Sequence, residues 1–505
     1  MELRELTDKT LKLFKAKNTK ELLSEMMHTV ESNDLQIYEK FTEMVEELST
    51  DWLQKIFQYY EADRKEKKQD YTPASLAKLT AKLSGDADVV IDMCAGSGAM
   101  TIQRWNLNHG TKFILYEIDK NVIPVLLFNM AVRNIECVVH QSDVLQQETI
   151  STWYIAKGEK FGLVKNEGMK PSGKCALISN PPFNMKWMVP PFAQLQTRFS
   201  RCGLPPESNA NYAFILTALD MAKRACFILP QSVLASNDMR EKAIRQYLIE
   251  NNLIESIILC PDKMFESTAV ATCIVTFDRA KKTSYIEMMD MRQKYTMENR
   301  EQNGQFGGKA HTNRTYIKNF KIFSEEQIKD ALLCIQERKN IAGYCKAVTI
   351  EDIKNNDYRL IPARYIEFIE EQNSHRQYAD IISDINRIIK EKNTCKLTIN
   401  ETIAKSLGFD IELYKSAAEM EMDGLLEKIT GQKIEKDSYF TATRNKNEIK
   451  FENKSEDSIS SIFMMIFNMW KQHIFYLNQE ENRYLAELRD ALLPDLMSGK
   501  IEIPK

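Results

Sequence analysis

Over residues 1 to about 70, apolar positions recur at three- and four-residue spacing: Leu35, Tyr38, Phe41, Val45 and Leu48, then Leu53, Ile56, Phe57 and Tyr60. That is the apolar face of a helix, with Asp34 and Thr50 or Asp51 as N-caps. The stretch ends in Arg64-Lys65-Glu66-Lys67-Lys68, either a solvated helix end or a phosphate contact. From about 71 to 310 the pattern changes to short β-branched and aromatic runs alternating with helical stretches. The strand candidates are Asp88 to Met93, Lys112 to Glu117, Glu136 to Gln141, Lys174 to Ser179, Ala225 to Leu229, Ile254 to Leu259 and Ala271 to Asp278. Runs of this kind predict one substantial, mostly parallel, doubly wound α/β sheet of Rossmann-like type.

From about 311 the chain turns polar and helical again. A long segment from Ser458 to Leu493 carries Ile459, Phe463, Ile466, Trp470, Ile474, Leu477, Tyr484, Leu488 and Leu492, mostly three, four or seven apart. Such a stripe is either intramolecular core or a helix-helix interface. Asn445 to Asp457 reads as an exposed loop. The expected organisation is a helical region over 1–70, the sheet domain over 71–310, and a mostly helical region over 311–505 with a long helix at about 458–493.

Composition narrows the function classes. In 505 residues, 43% hydrophobic and 28% charged, Lys+Arg 68 against Asp+Glu 71 leaves a formal net charge of -3. Bulk positive charge therefore does not drive nucleic-acid binding, and any such contact must come from local patches or a partner. There is no apolar run near the roughly 18 to 20 residues that span a bilayer, and Met1 to Glu5 does not read as a signal peptide, so the expectation is a cytoplasmic protein with no membrane partner. The 10 cysteines show no Cys-x-x-Cys spacing and only 6 histidines accompany them, so they read as reduced small hydrophobes and no metal site is expected.

The first informative string is Val89-Val90-Ile91-Asp92-Met93-Cys94-Ala95-Gly96-Ser97-Gly98, an apolar strand running straight into a turn with two glycines. Glycines let backbone approach a ligand at the carboxyl edge of a sheet. NAD enzymes, S-adenosylmethionine (SAM) enzymes and ordinary tight turns all use such a turn; Thr101 leaves the three-glycine dinucleotide fingerprint incomplete. Glu117 ends the next strand 19 residues after Gly98, where a carboxylate accepts ribose hydroxyls, and Asp143 at the tip of the third strand is placed to take an adenine amino group. Together they favour a nucleoside ligand.

The second string is Asn180-Pro181-Pro182-Phe183, at the end of the fourth strand. Two prolines stop a central ladder and stiffen the backbone. An exocyclic amino group of a base is a poor nucleophile, because its lone pair is delocalised into the ring. If the Asn180 side-chain oxygen and the Pro181 carbonyl accept its two N–H bonds, the nitrogen is drawn toward tetrahedral geometry and its lone pair faces the methyl of SAM. Phe183 can stack on the base, a contact worth about 1–3 kcal/mol. Stiff prolines would hold the acceptors in place beforehand, catalysis by position and electrostatics without a covalent intermediate or metal.

With these strings in hand, the sequence resembles the modification subunits of type I restriction-modification systems, a family of SAM-dependent N6-adenine DNA methyltransferases. The resemblance is ordered along most of the chain. Asp70-Tyr71-Thr72-Pro73 is similar to the family's Tyr-Thr-Pro motif, which helps hold SAM; Asp92 to Gly98, including Ser97, to its SAM loop; Asn180 to Phe183 to its catalytic tetrapeptide. Ile228 to Leu234 and Met239 to Arg245 resemble the later strand and helix, Met264-Phe265-Glu266-Ser267-Thr268 the loop behind the target base, and Asn356 to Ile366 the segment that follows the domain. Met93 stands where the family usually has proline, and the polar insertion between Asp143 and Lys174 has no assigned role. The resemblance implies a SAM-dependent methyltransferase fold, base pocket residue Phe265, and adenine N6 methylation of double-stranded DNA with the target base extruded. An RNA base methylase sharing the tetrapeptide and a non-catalytic SAM-binding scaffold are the alternatives.

The C-terminus, Tyr484 to Ile501, resembles the end of a type I specificity subunit, where a helix ends near a Leu-Leu-Pro and Ser-Gly turn. The other reading is an ordinary terminal helix stopped by Pro494 and Gly499. No stretch after Ile366 resembles the family's target-recognition domains. The resemblance therefore implies a separate specificity subunit, two copies of this chain around it, and a restriction or translocase subunit as a further partner.

Overall fold

The computed structural model describes residues 3–60, 72–168, 170–265, 270–303, 315–367, 376–406, 440–445, 448–453 and 476–497. The apolar runs form strands in chain order: β1 (Val89–Asp92), β2 (Lys112–Glu117), β3 (Cys137–Asp143), β4 (Glu148–Ala156), β5 (Leu163–Lys165), β6 (Cys175–Ser179), β7 (Arg224–Pro230), β8 (Ile254–Leu259), β9 (Thr272–Asp278) and β10 (Tyr285–Asp290). A hairpin of β11 (Thr296–Asn303) and β12 (Thr315–Ile322) follows, then β13 (Cys345–Thr349). All seven strand candidates are strands. They belong to an 11-stranded sheet of order β13-β10-β8-β9-β7-β6-β1-β2-β3-β4-β5.

From β3 through β2, β1 and β6 to β7 every pairing is parallel, so these strands all present their carboxyl ends at one edge. β9 runs antiparallel between β7 and β8. The polar insertion after Asp143 supplies β4 and β5, which extend the sheet antiparallel beyond β3. Asn33 meets the outer strand as another strand would: its amide donates to the Val164 carbonyl at 3.0 Å and accepts the Val164 N–H at 2.7 Å. An edge strand met in this way is less open to pairing with another chain.

Four N-terminal helices, α1 (Leu3–Leu13), α2 (Thr19–Ser32), α3 (Leu35–Met44) and α4 (Trp52–Tyr60), precede α5 (Ala74–Leu83), α6 (Ala99–Leu107) and α7 (Ile123–Val132). Every residue of α7 is buried. A helix apolar all round must be covered on both sides; one side of α7 faces the sheet, and Phe14, Tyr38 and Phe41 pack edge-on around Phe128 with centroids 5.1, 5.5 and 5.0 Å away. The segment read as a separate region over 1–70 thus shares one core with the sheet. On the opposite face lie α8 (Thr197–Ser200), α9 (Asn211–Met221) and α10 (Met239–Glu250). Two further helices, α11 (Glu325–Glu337) and α12 (Ile350–Asn355), flank β13.

The chain divides into Met1–Ile369 and Glu370–Lys505. A boundary at 310 does not mark this division, because β13 pairs antiparallel with β10 and buries Val348, carrying the sheet into the region read as mostly helical. In the second unit, α13 (Tyr378–Ser406) packs on α14 (Tyr476–Met497), with Ile381, Ile388 and Ala491 buried; β14 (Phe440–Asn445) and β15 (Glu448–Asn453) form a hairpin. α14 runs through Pro494 instead of stopping there. The 458–475 part of the long apolar stripe lies outside the described residues. No described helix is long and apolar enough to cross a membrane.

Candidate active site

β1 delivers Asp92 to the carboxyl edge, and the chain turns through Gly96 (φ +55°) and Gly98 (φ +95°) into α6. The two glycines serve different needs. A Cβ on Gly98 would lie 2.7 Å from Met130 Cε of α7, so this glycine permits close helix packing. A Cβ on Gly96 would meet nothing within 4 Å among the described residues, so they leave open space in front of the turn at that point. The Gly96 N–H donates to Glu117 Oε2 at 2.8 Å, and Glu117 Oε1 accepts the Asp119 N–H at 2.8 Å. Burial raises the Glu117 carboxyl above its ordinary range.

Asp92 is buried, and its Oδ2 accepts the Thr101 hydroxyl at 2.8 Å while Oδ1 has no hydrogen-bond partner among the described residues. Burial pushes its pKa up to about 7, and the like charge of Glu117 adds to the shift. A buried acceptor without a donor is costly unless a ligand supplies one. Asp143 Oδ1 accepts the N–H groups of Leu145 and Gln146 at 2.9 and 3.1 Å, which fixes the tip of β3. Open space over Gly96, the unsatisfied Asp92 oxygen, and carboxylates at the ends of β2 and β3 fit a polar nucleoside such as SAM. Met93 is buried, and its N–H continues the ladder to the Ile178 carbonyl at 3.1 Å, a bond that the family's usual proline would lack.

β6 pairs directly with β1, Asp92 opposite Ile178, so Asn180 leaves the sheet one strand away from the glycine turn. Its side-chain Nδ2 donates to the Thr72 hydroxyl at 2.9 Å. Pro181 is buried and Pro182 half-buried. Phe183 meets Phe265 edge to face, centroids 5.8 Å apart and planes at 79°. Beyond the tetrapeptide, Asn184 (φ +52°) is bonded to Asn211 in both directions: its N–H donates to Asn211 Oδ1 at 3.1 Å, and its Oδ1 accepts from Asn211 Nδ2 at 3.0 Å. A fully buried amide at the start of α9 thereby anchors the loop.

The structure brings Asn180, Phe183, Phe265 and Thr72 together at the same sheet edge as Asp92, Gly96, Gly98, Glu117 and Asp143. Pro73 opens α5. Tyr71 and the residues after Phe265 through 269 lie outside the described residues. The Ser97 hydroxyl is committed to Asp51, to which it donates at 2.6 Å. Asp51, Gln54, Asn129 and Arg133 are site neighbours that the sequence reasoning did not single out as such. The signal was present only for Asp51, as a helix cap. No group of three or more His, Cys, Asp or Glu among the described residues is placed to hold a metal ion.

A mostly parallel sheet in which β9 is reversed between β7 and β8, a glycine turn after the first strand and an acid at the end of the second define the SAM-dependent methyltransferase fold. Residues 47–374 match the family described as N-6 DNA Methylase, and the chain belongs to that family. The family uses SAM. Its relatives include the type I restriction enzyme HindI methylase subunit of Haemophilus influenzae, 25% identical over 382 residues, which cover 71% of this chain and 78% of that protein. The MjaVIII methylase subunit of Methanocaldococcus jannaschii is 23% identical over 359 residues, 70% of this chain but only 58% of that longer protein. The crystal structure of the type I restriction-modification system methyltransferase subunit from Streptococcus thermophilus shares the fold, with a TM-score of 0.50, 19% identity, and coverage of 72% and 77%.

Proposed function

We propose that this protein methylates the N6 amino group of adenine in double-stranded DNA, as the modification subunit of a type I-like restriction-modification system. The observation that carries the reading is Asn180: an amide oriented by its bond to Thr72, one strand from the glycine turn and beside the Phe183–Phe265 pair. When bound, SAM supplies an electrophilic methyl group. Gly96 and Gly98 bring the backbone close to it, Asp92 and Glu117 accept its polar hydrogens, and Asp143 takes its adenine amino group. Tyr71, Thr72, Pro73 and Ser97 complete the cofactor side, as the family resemblance implies.

Asn180 Oδ1 and the Pro181 carbonyl accept the two N–H bonds of the extruded adenine. Phe183 stacks on the base, with Phe265 behind it, and Pro181 and Pro182 keep the acceptors from relaxing. Extrusion costs a few kcal/mol, which stacking and amino-group contacts offset. A separate specificity subunit chooses the sequence, two copies of this chain assemble with it in the cytoplasm, the α13–α14 unit takes part in that assembly, and a restriction or translocase subunit is a further partner. The test is transfer of tritium from labelled SAM to double-stranded DNA and to RNA, with the specificity subunit present. Label on DNA supports the proposal; label on RNA alone, or on neither, contradicts it.

A further inference from the structure

Helix α4 touches both halves of the site. Its N-cap is Asp51, whose Oδ1 accepts the Gln54 N–H at 3.1 Å. The same carboxylate accepts the Ser97 hydroxyl at 2.6 Å and Asn129 Nδ2 at 2.9 Å, and Asn129 also donates to the Ser97 carbonyl at 2.8 Å. Asp51, Ser97 and Asn129 are 6%, 1% and 0% exposed. Arg133 clamps the segment that leads into α4, donating to the Leu48 and Thr50 carbonyls at 2.7 Å each. A capping carboxylate needs one or two backbone donors; this one also holds the residue between the two glycines of the turn.

One helical turn later, Gln54 Nε2 donates to the Thr72 carbonyl at 3.0 Å, and the Thr72 hydroxyl accepts from Asn180. These bonds join residues 18 and 108 positions apart in the chain. Both act through another residue, Asp51 through Ser97 and Gln54 through Thr72.

We propose that α4 is the positioning element of the site: Asp51 holds the cofactor turn through Ser97, and Gln54 holds the Asn180 amide through Thr72. The inference rests on the methyltransferase reading above and goes beyond it, since it assigns the N-terminal helices a part in setting both the cofactor turn and the acceptor. The Thr72 hydroxyl, as distinct from its backbone, serves Asn180. Buried hydrogen bonds to a charged group are strong and costly to leave half made, so a turn held this way is set before ligand arrives.

The test separates binding from turnover in the full-length chain. Isothermal titration calorimetry measures SAM affinity, and single-turnover transfer to double-stranded DNA at saturating SAM, with the specificity subunit present, measures the chemical step. Asp51→Ala and Ser97→Ala should each weaken SAM binding about tenfold or more. Ser97→Ala is the lighter change, because Asp51→Ala also strands the buried Arg133. Thr72→Val should slow transfer at saturating SAM about tenfold, and Thr72→Ser should restore the rate. Wild-type SAM affinity in both Asp51→Ala and Ser97→Ala, or a Thr72→Val enzyme as fast as Thr72→Ser, would overturn the inference. The calorimetric arm needs no methyl transfer, so a wild-type chain that binds SAM and labels no DNA contradicts the proposed activity without obscuring this result.

Discussion

Phe265 meets the Phe183 ring edge to face at a centroid distance of 5.8 Å, although two strands, β7 and β8, lie between them in the chain. The pair links the tetrapeptide after β6 to the loop after β8. Phe265 is 4% exposed and Phe183 half-buried, which fits the proposed roles of Phe265 as support and Phe183 as the stacking surface. Phe265→Ala should destabilise the fold by about 3 kcal/mol, as for other large-to-small changes of buried aromatics, and weaken capture of the extruded base. Urea unfolding reads the first effect. Fluorescence of 2-aminopurine at the target position reads the second; an unchanged signal would place the base elsewhere.

In the proposed mechanism, Asn180→Ala removes the acceptor that polarises the amino group. Transfer should be lost while SAM affinity stays within a few-fold, because the missing bond matters mainly in the transition state. Near-normal single-turnover rates in this variant would remove Asn180 from the mechanism.

The two glycines of the turn should respond differently to alanine. Gly98→Ala forces a Cβ toward Met130 at a φ of +95°, and should lower stability by about 1–3 kcal/mol. Gly96→Ala meets open space at a φ of +55°, so its stability cost should be only about 1 kcal/mol while SAM binding falls sharply. Thermal melts with calorimetry on both variants check the contrast. Equal SAM affinity in Gly96→Ala and wild type would mean that the cofactor does not approach this backbone.

The seven central strands were legible because strands buried on both faces are short continuous apolar runs. β4 and β5 were not, since β4 is largely exposed or half-exposed and reads as polar, and the edge strand β5 is only three residues long. The boundary after the sheet was displaced because β13 is only five residues long and comes after α11. Both glycines, Glu117 and Asn180 follow strand ends and were readable from position alone. The part played by Asp51 was not: its partners Ser97 and Asn129 lie 46 and 78 residues away, and no local pattern encodes such a contact.

Asp92 gives a pH dependence with a definite sign. Burial, with the Glu117 charge behind it, raises its pKa to about 7 from the ordinary aspartate value of 3.8. The folded chain then holds this proton more tightly than the unfolded chain, so its contribution is fully present below about pH 4 and is lost as pH rises through 7. Within that window wild type should lose about 1.4 kcal/mol per pH unit relative to Asp92→Asn, whose amide does not titrate. Urea unfolding of both proteins from pH 4 to 8 reads the difference; a pH-independent gap would mean that Asp92 is ionised throughout.

The most direct test of the central claim is the identity of the methylated nucleoside. DNA modified by this protein with its specificity subunit is digested to nucleosides and separated by mass spectrometry. The proposed reading predicts N6-methyldeoxyadenosine, absent when Asn180→Ala replaces the wild-type chain. N4-methyldeoxycytidine or 5-methyldeoxycytidine as the sole product would contradict the account.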